Sequence, residues 1–167
     1  PAATLHALAD TDPGDVAARG SWQSNARDDY EKFTFPIKDL GDLQLSQAVA
    51  HVSETVTPET IITNGAGNYA IWLHRFFTYR LFGQQLGPQS GSMGYGIPAA
   101  IGASFASPKT MVVAFAGDGC ALMTIQELAT IAEHRLPIVV IVVDNGRFGT
   151  IRMHQERDYP GRTIGTE

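Results

Sequence analysis

Residues 112–146 read VVAFAGDGCALMTIQELATIAEHRLPIVVIVVDNG, and the fold turns on them. Two runs, Met111–Ala116 and Ile138–Val143, are continuously apolar and rich in Val and Ile. Strands of this kind, without alternation, are buried on both faces of a sheet. Each run stops at a polar turn: Gly117-Asp118-Gly119 after the first, Asp144-Asn145-Gly146 after the second. Between them Leu122, Ile125, Leu128, Ala129 and Ala132 recur at helical spacing, which predicts one amphipathic helix over 122–135. Strand, helix and strand in succession make a parallel pair, and ligands of such sheets gather beyond the carboxyl ends of the strands. Asp118 and Asn145, 27 positions apart, are therefore expected to face each other across one crevice.

The same alternation extends toward the N-terminus. Leu45, Ala48, Val49 and Val52 predict a helix, and TIITN (60–64) predicts a short buried strand. In 68–81 the residues Tyr69, Trp72, Leu73, Phe76 and Phe77 fall on one side of an amphipathic stretch. A Gly-rich loop (87–96) then leads into a small-residue helix (97–106) that tolerates Pro98 in its first turn. The fold class is α/β: an open, mainly parallel sheet with helices on both faces. Residues 1–40 read as an interdomain linker or arm, irregular apart from a short helix around Ser24–Lys32. Residues 41–167 form the domain. The polar ending QERDYPGRTIGTE carries no further strand or helix, so the domain is expected to be incomplete at its C-terminal end. The missing initiator Met points to residues removed upstream.

Bulk properties exclude several classes. The 167 residues carry a formal charge of -5 and no Lys/Arg cluster, which gives no footprint for nucleic acid. No apolar run approaches the roughly 20 residues of a membrane span, and no secretory signal opens the chain. The single cysteine, Cys120, rules out an internal disulfide framework and fits a reducing compartment, so a cytoplasmic location is expected.

Asp118 and Asn145 offer hard oxygen donors that suit Mg²⁺ or Ca²⁺, with backbone carbonyl, water and phosphate oxygens completing the shell. Gly117 and Gly119 let a ligand approach the backbone, and the N–H groups of Gly119, Cys120 and Ala121 open a helix. The combination describes a metal-bridged diphosphate. Either triplet alone would be an ordinary tight turn; their placement at matched strand ends favours a site. Other signals are weaker. Gly94-Tyr95-Gly96-Ile97-Pro98-Ala99 mimics a dinucleotide fingerprint, but no apolar strand precedes it, and no P-loop is present. Cys120 stands where a nucleophile could sit, yet also where a small residue serves a backbone contact. Trp72, Phe76, Phe77 and Phe82 read as core or subunit interface, and His51, His74 and His134 as helix-face residues without catalytic roles.

Gly117-Asp118-Gly119 followed by Asn145 resembles the thiamine diphosphate motif of the pyruvate-decarboxylase and acetolactate-synthase superfamily. GSMGYGIPAAIGA (91–103) and DNGRFGTIRMHQE (144–156) resemble the segments that flank it, and the likeness covers about residues 42–156. It implies the C-terminal, diphosphate-binding domain of such an enzyme. On that resemblance Asp118, Asn145 and the carbonyl of Arg147 would hold Mg²⁺, and Gly119 and Cys120 would donate N–H groups to the diphosphate. Gly67, Asn68 and Tyr69 would form the other diphosphate turn. Met93 would stand as a wedge beneath the thiazolium, with Gly91 and Ser92 beside the aminopyrimidine, while Phe148, Gly149 and Ile151 would close over the cofactor.

Three positions depart from the family pattern: Asp144 replaces the usual first Asn, His154 stands where acetolactate synthases tend to carry Trp, and Arg152 where some decarboxylases carry a catalytic Glu. Arg152 and His154 are candidate substrate-side residues. The resemblance implies carboligation or decarboxylation of a 2-oxo acid, in a homodimer or homotetramer. It places the general-acid Glu in the pyrimidine-binding domain of a neighbouring subunit, so this chain alone is expected to be inactive. FAD stays open, since its site would lie mostly in a missing domain. A split enzyme with this chain as small subunit, or a non-catalytic cofactor-binding or assembly module, are the alternative readings.

Overall fold

The computed structural model describes residues 2–12, 14, 16–39 and 41–167. The chain divides into two compact units, Pro1–Phe35 and Pro36–Glu167. The first holds two helices, α1 (Ala2–Ala9) and α2 (Gly20–Thr34), where the sequence predicted only a short one. Neither buries a side chain, so apolar periodicity could not announce them. Local terms support α2, among them the i,i+4 pair of Arg27 with Glu31 at 2.7 Å.

The second unit is built on a four-stranded parallel sheet in the order β2-β1-β3-β4. Its strands are β1 (Ile61–Asn64), β2 (Gln85–Leu86), β3 (Val112–Gly117) and β4 (Ile138–Val143). The two-residue β2 carries too short a pattern to read from sequence. Helices α3 (Leu45–Thr55) and α4 (Tyr69–Phe76) cover one face of the sheet. There Val49, Leu73, Phe76 and Phe77 pack on Ile62, Val113 and Phe115, while Ala48 is exposed. Helix α5 (Gly96–Ala106) covers the other face, laying Ala100 and Ala103 on Val112 and Ala114, and Ile97 and Ile101 beside Ala116.

Two expectations need correction. The predicted helix over 122–135 is broken into α6 (Asp118–Leu122), a 3-10 turn at Ile125–Glu127 and α7 (Leu128–His134). The break turns its apolar stripe outward: Leu122, Ile125, Leu128, Ala129 and Ala132 are all exposed, and Ile131 with Leu136 packs instead. Likewise β3 is buried along its whole length, but β4 is not, with Val139 46% and Val142 47% exposed. Among the described residues β4 has a strand on one side only. A further helix, α8 (Gly149–Asp158), runs into the polar ending 155–167, where no helix was expected; it buries no side chain, so no stripe marked it.

Asp39 ties the start of this unit together. Its Oδ2 accepts the N–H of Ser46 in the first turn of α3 at 2.7 Å, and its Oδ1 accepts the Trp72 indole N–H of α4 at 2.9 Å. Desolvation pushes this carboxyl up, but the Ser46 and Trp72 donors and the Arg75 charge outweigh it and hold it below its ordinary range. The folded pKa is thus depressed, so the contribution is complete above the unfolded value of about 4 and lost as pH falls through the folded one. Asp39→Ala is expected to cost about 1–2 kcal/mol at neutral pH in denaturant melts. The gap to the unmutated protein should narrow below about pH 4. A gap that stays constant down to pH 3 would refute the assignment.

Candidate functional site

Strands β1 and β3 are neighbours, yet the chain leaves them in opposite directions, β1 through α4 to β2 and β3 through α6 and α7 to β4. Such a switch point opens a crevice beyond the carboxyl ends of the strands. A cavity of about 220 Å³ lies there, lined from three directions: Ala66–Tyr69 after β1, Gly117–Cys120 after β3, and Val143, Asn145 and Arg147–Ile151 at the end of β4. Gly91 and Met93 line it from the Gly-rich loop. The register explains the meeting of Asp118 and Asn145. Gly117 pairs with Val143, so Asp118 and Asp144 leave adjacent strands side by side, and Asn145 follows by one residue.

Most of the residues singled out in the sequence line this cavity: Gly67, Asn68, Tyr69, Gly91, Met93, Asp118, Gly119, Cys120, Asn145, Arg147, Phe148, Gly149 and Ile151. Ser92, Arg152 and His154 do not. The Ser92 hydroxyl lies 3.0 Å from that of Ser90. Arg152 pairs with Glu156 at 3.6 Å and with Glu167, and His154 is exposed on α8. Sequence reasoning missed Ala66, Val143 and Thr150. Thr150 Oγ1 donates to Asn68 Oδ1 at 2.8 Å and joins the start of α8 to the turn after β1. A contact across 82 positions left no signal in the local pattern.

The donors present are oxygen-rich on one side. Asp118 is half-buried and its carboxylate has no hydrogen bond or ion pair among the described residues. Among the described residues Asn145 Oδ1 accepts only the Arg147 N–H, at 3.1 Å, within its own turn. The Arg147 carbonyl accepts from Gly149 N at 2.9 Å and keeps a second lone pair. Asp144 is otherwise engaged: its Oδ1 accepts the Gly146 N–H at 2.8 Å, and it does not line the cavity. The opposite wall is apolar, from Met93, Phe148 and Ile151. Gly119 sits against it so closely that a Cβ there would lie 2.6 Å from the Phe148 ring and 3.5 Å from Met93 Cε. The N–H groups of Gly119 and Cys120 open α6 and have no intrahelical acceptor. Since α6 has only five residues, these free N–H groups outweigh any macrodipole.

Tyr69 lines the cavity, while its hydroxyl is turned into the fold. The hydroxyl accepts the Gly65 N–H at 2.9 Å, donates to the Phe115 carbonyl at 3.2 Å and lies 3.7 Å from Cys120 Sγ. Burial first, then the neighbouring Cys120, raise its pKa far above the ordinary phenol value, so it stays protonated.

One switch-point cavity thus brings together a carboxylate, helix-opening N–H groups and an apolar wall. Residues 65–167 match the family model described as "Thiamine pyrophosphate enzyme, C-terminal TPP binding domain". The chain belongs to this family. It is 36% identical over 149 residues to acetolactate synthase 3, chloroplastic, of Brassica napus, covering 88% of this chain and 23% of that protein. It is 35% identical over 158 residues to an acetolactate synthase of Mycobacterium leprae, covering 93% and 25%. A solved thiamine diphosphate-dependent 4-hydroxybenzoylformate decarboxylase of Rhodococcus jostii RHA1 superposes with a TM-score of 0.72 at 29% identity, over 81% of this chain and 26% of that one. The chain thus spans about a quarter of the length of these relatives.

Proposed function

We propose that this chain holds thiamine diphosphate through a Mg²⁺ ion in an acetolactate-synthase-like enzyme that decarboxylates or joins 2-oxo acids. The observation that carries the reading is the unpaired Asp118 carboxylate beside Gly119, in one cavity with Asn145. Asp118, Asn145 and the Arg147 carbonyl would ligate the metal, a hard-oxygen set that leaves positions for phosphate oxygens and water. Gly119 and Cys120 would donate N–H groups to the diphosphate, with the Gly67–Asn68 turn opposite. Met93, Phe148 and Ile151 would hold the ring system and exclude water from it. When bound, thiamine diphosphate supplies the electron sink that cleavage beside a ketone requires. Arg152 and His154, on α8 outside the cavity lining, would stand on the substrate side of the bound cofactor.

The general-acid Glu would come from the pyrimidine-binding domain of a neighbouring subunit in a homodimer or homotetramer, and this chain alone would be inactive. The apolar surface beside the cavity supports that reading: Met93 is 37%, Tyr95 39%, Leu122 68% and Met123 52% exposed. A cytoplasmic location fits the single, buried, unpaired cysteine. Among the described residues no helix is long and apolar enough to cross a membrane. Calorimetric titration with thiamine diphosphate tests the site. Binding is expected in Mg²⁺ and should weaken about tenfold or more in chelator; equal affinity in both would refute the metal-bridged reading.

A further inference from the structure

We propose that Cys120 and Tyr69 are positioning residues that set the depth at which Met93 stands in the cavity. Met93 has no hydrogen-bonding side chain, so its place depends on the backbone around it. The next residue, Gly94, is buried and held on three sides. Its N–H donates to Cys120 Sγ at 3.1 Å, and its carbonyl accepts from Thr124 Oγ1 at 3.0 Å. On its third side a Cβ would lie 2.8 Å from Met123 Cβ, at a φ of +80° that already favours glycine. The sulfur is fixed in turn: it fills a notch left by Gly65, where a Cβ would lie 2.1 Å from Sγ, and it meets the Tyr69 hydroxyl. That hydroxyl is anchored to the ends of β1 and β3 through Gly65 N and Phe115 O. A continuous path therefore runs from the two central strands through Tyr69 and Cys120 to the loop that carries Met93.

The path gives the cysteine a side-chain role separate from the diphosphate contact of its own N–H. Sulfur has the reach that this geometry uses. Alanine would leave the buried Gly94 N–H unpaired, whereas serine keeps an acceptor with a shorter arm. The inference rests on the cofactor reading for what Met93 supports, while the path itself is a property of the protein.

The test uses the intact protein and two readouts. The first is hydrogen exchange of the segment 91–96 without ligand. Cys120→Ala should speed exchange at Gly94 about tenfold, Cys120→Ser should recover part of the protection, and Tyr69→Phe should act in the same direction. The second is calorimetry in Mg²⁺ with thiamine diphosphate and, separately, inorganic diphosphate. Cys120→Ala should weaken the first about tenfold and the second less than about twofold, and in a Met93→Ala background it should add little further loss. A merely structural cysteine would weaken both ligands alike and add its loss to that of Met93→Ala, which would overturn the proposal. So would unchanged exchange at Gly94 in Cys120→Ala. Failure of the unmutated protein to bind either ligand would instead sink the cofactor reading, on a readout independent of the exchange result.

Discussion

Asp118→Ala is expected to weaken binding of thiamine diphosphate in Mg²⁺ roughly 100-fold, about 2.7 kcal/mol, and to abolish the difference between Mg²⁺ and chelator. The argument is local. Asp118 is the first residue past β3, and among the described residues nothing neutralises its carboxylate. Its only evident partner is a cation brought with the ligand, and a lost charge cannot be replaced by the Asn145 amide alone. The fold should survive, since the side chain makes no hydrogen bond among the described residues, so melting temperatures of variant and parent should agree closely. Asp144→Ala is the matched control. It removes a carboxylate from the neighbouring strand end, but one that serves the Gly146 N–H within its own turn. Affinity there should change less than about twofold. Equal losses from both variants would mean that general negative charge, and not a ligand at position 118, governs binding.

Gly96→Ala is expected to destabilise the domain by about 3 kcal/mol, lowering its melting temperature by roughly 10 °C. Gly96 opens α5 where that helix touches the ends of β1 and β3. A Cβ there would lie 2.9 Å from Gly65 N, 3.0 Å from Asn64 C and 3.1 Å from Phe115 O. All three are backbone atoms, two in β1 and β3 and one in the residue that follows β1, so no rotamer change relieves the contact and the helix must lift. Lifting it also strains the buried bond from Thr63 Oγ1 to the Gly96 carbonyl, 2.8 Å long. Gly102→Ala, six residues on in the same helix, meets nothing within 4 Å and should be neutral or stabilising by up to about 1 kcal/mol. Similar melting temperatures for the two variants would show that the close approach of α5 is not required.

The strands β1, β3 and β4, the helices α3, α4 and α5, and the placement of Asp118 and Asn145 at one crevice were all legible in the sequence. Each rests on a pattern that a few residues carry by themselves: a Val/Ile run, a helical spacing of apolar side chains, a Gly-Asp-Gly turn. The helical stripe Leu122, Ile125, Leu128, Ala129 and Ala132 was equally clear, yet it faces outward. Spacing says which residues share a face, and says nothing of what that face meets. Here Thr124, bonded to the Gly94 carbonyl, stands where the helix breaks, so that Ile131 and Leu136 pack inward instead.

The sequence by itself determined the parallel α/β class and which residues gather at the strand ends, because both follow from short-range patterns and strand polarity. Only the tertiary structure decided that Thr150 closes onto Asn68 and that the Cys120 sulfur carries the Met93 loop. It also decided that the Tyr69 hydroxyl points into the fold, onto the Gly65 N–H and the Phe115 carbonyl. The first two contacts join residues 82 and 26 positions apart, through single hydrogen bonds whose partners are set by how the loops stack over the sheet. No periodicity encodes such a meeting, since its geometry exists only once β1, β3 and β4 lie side by side.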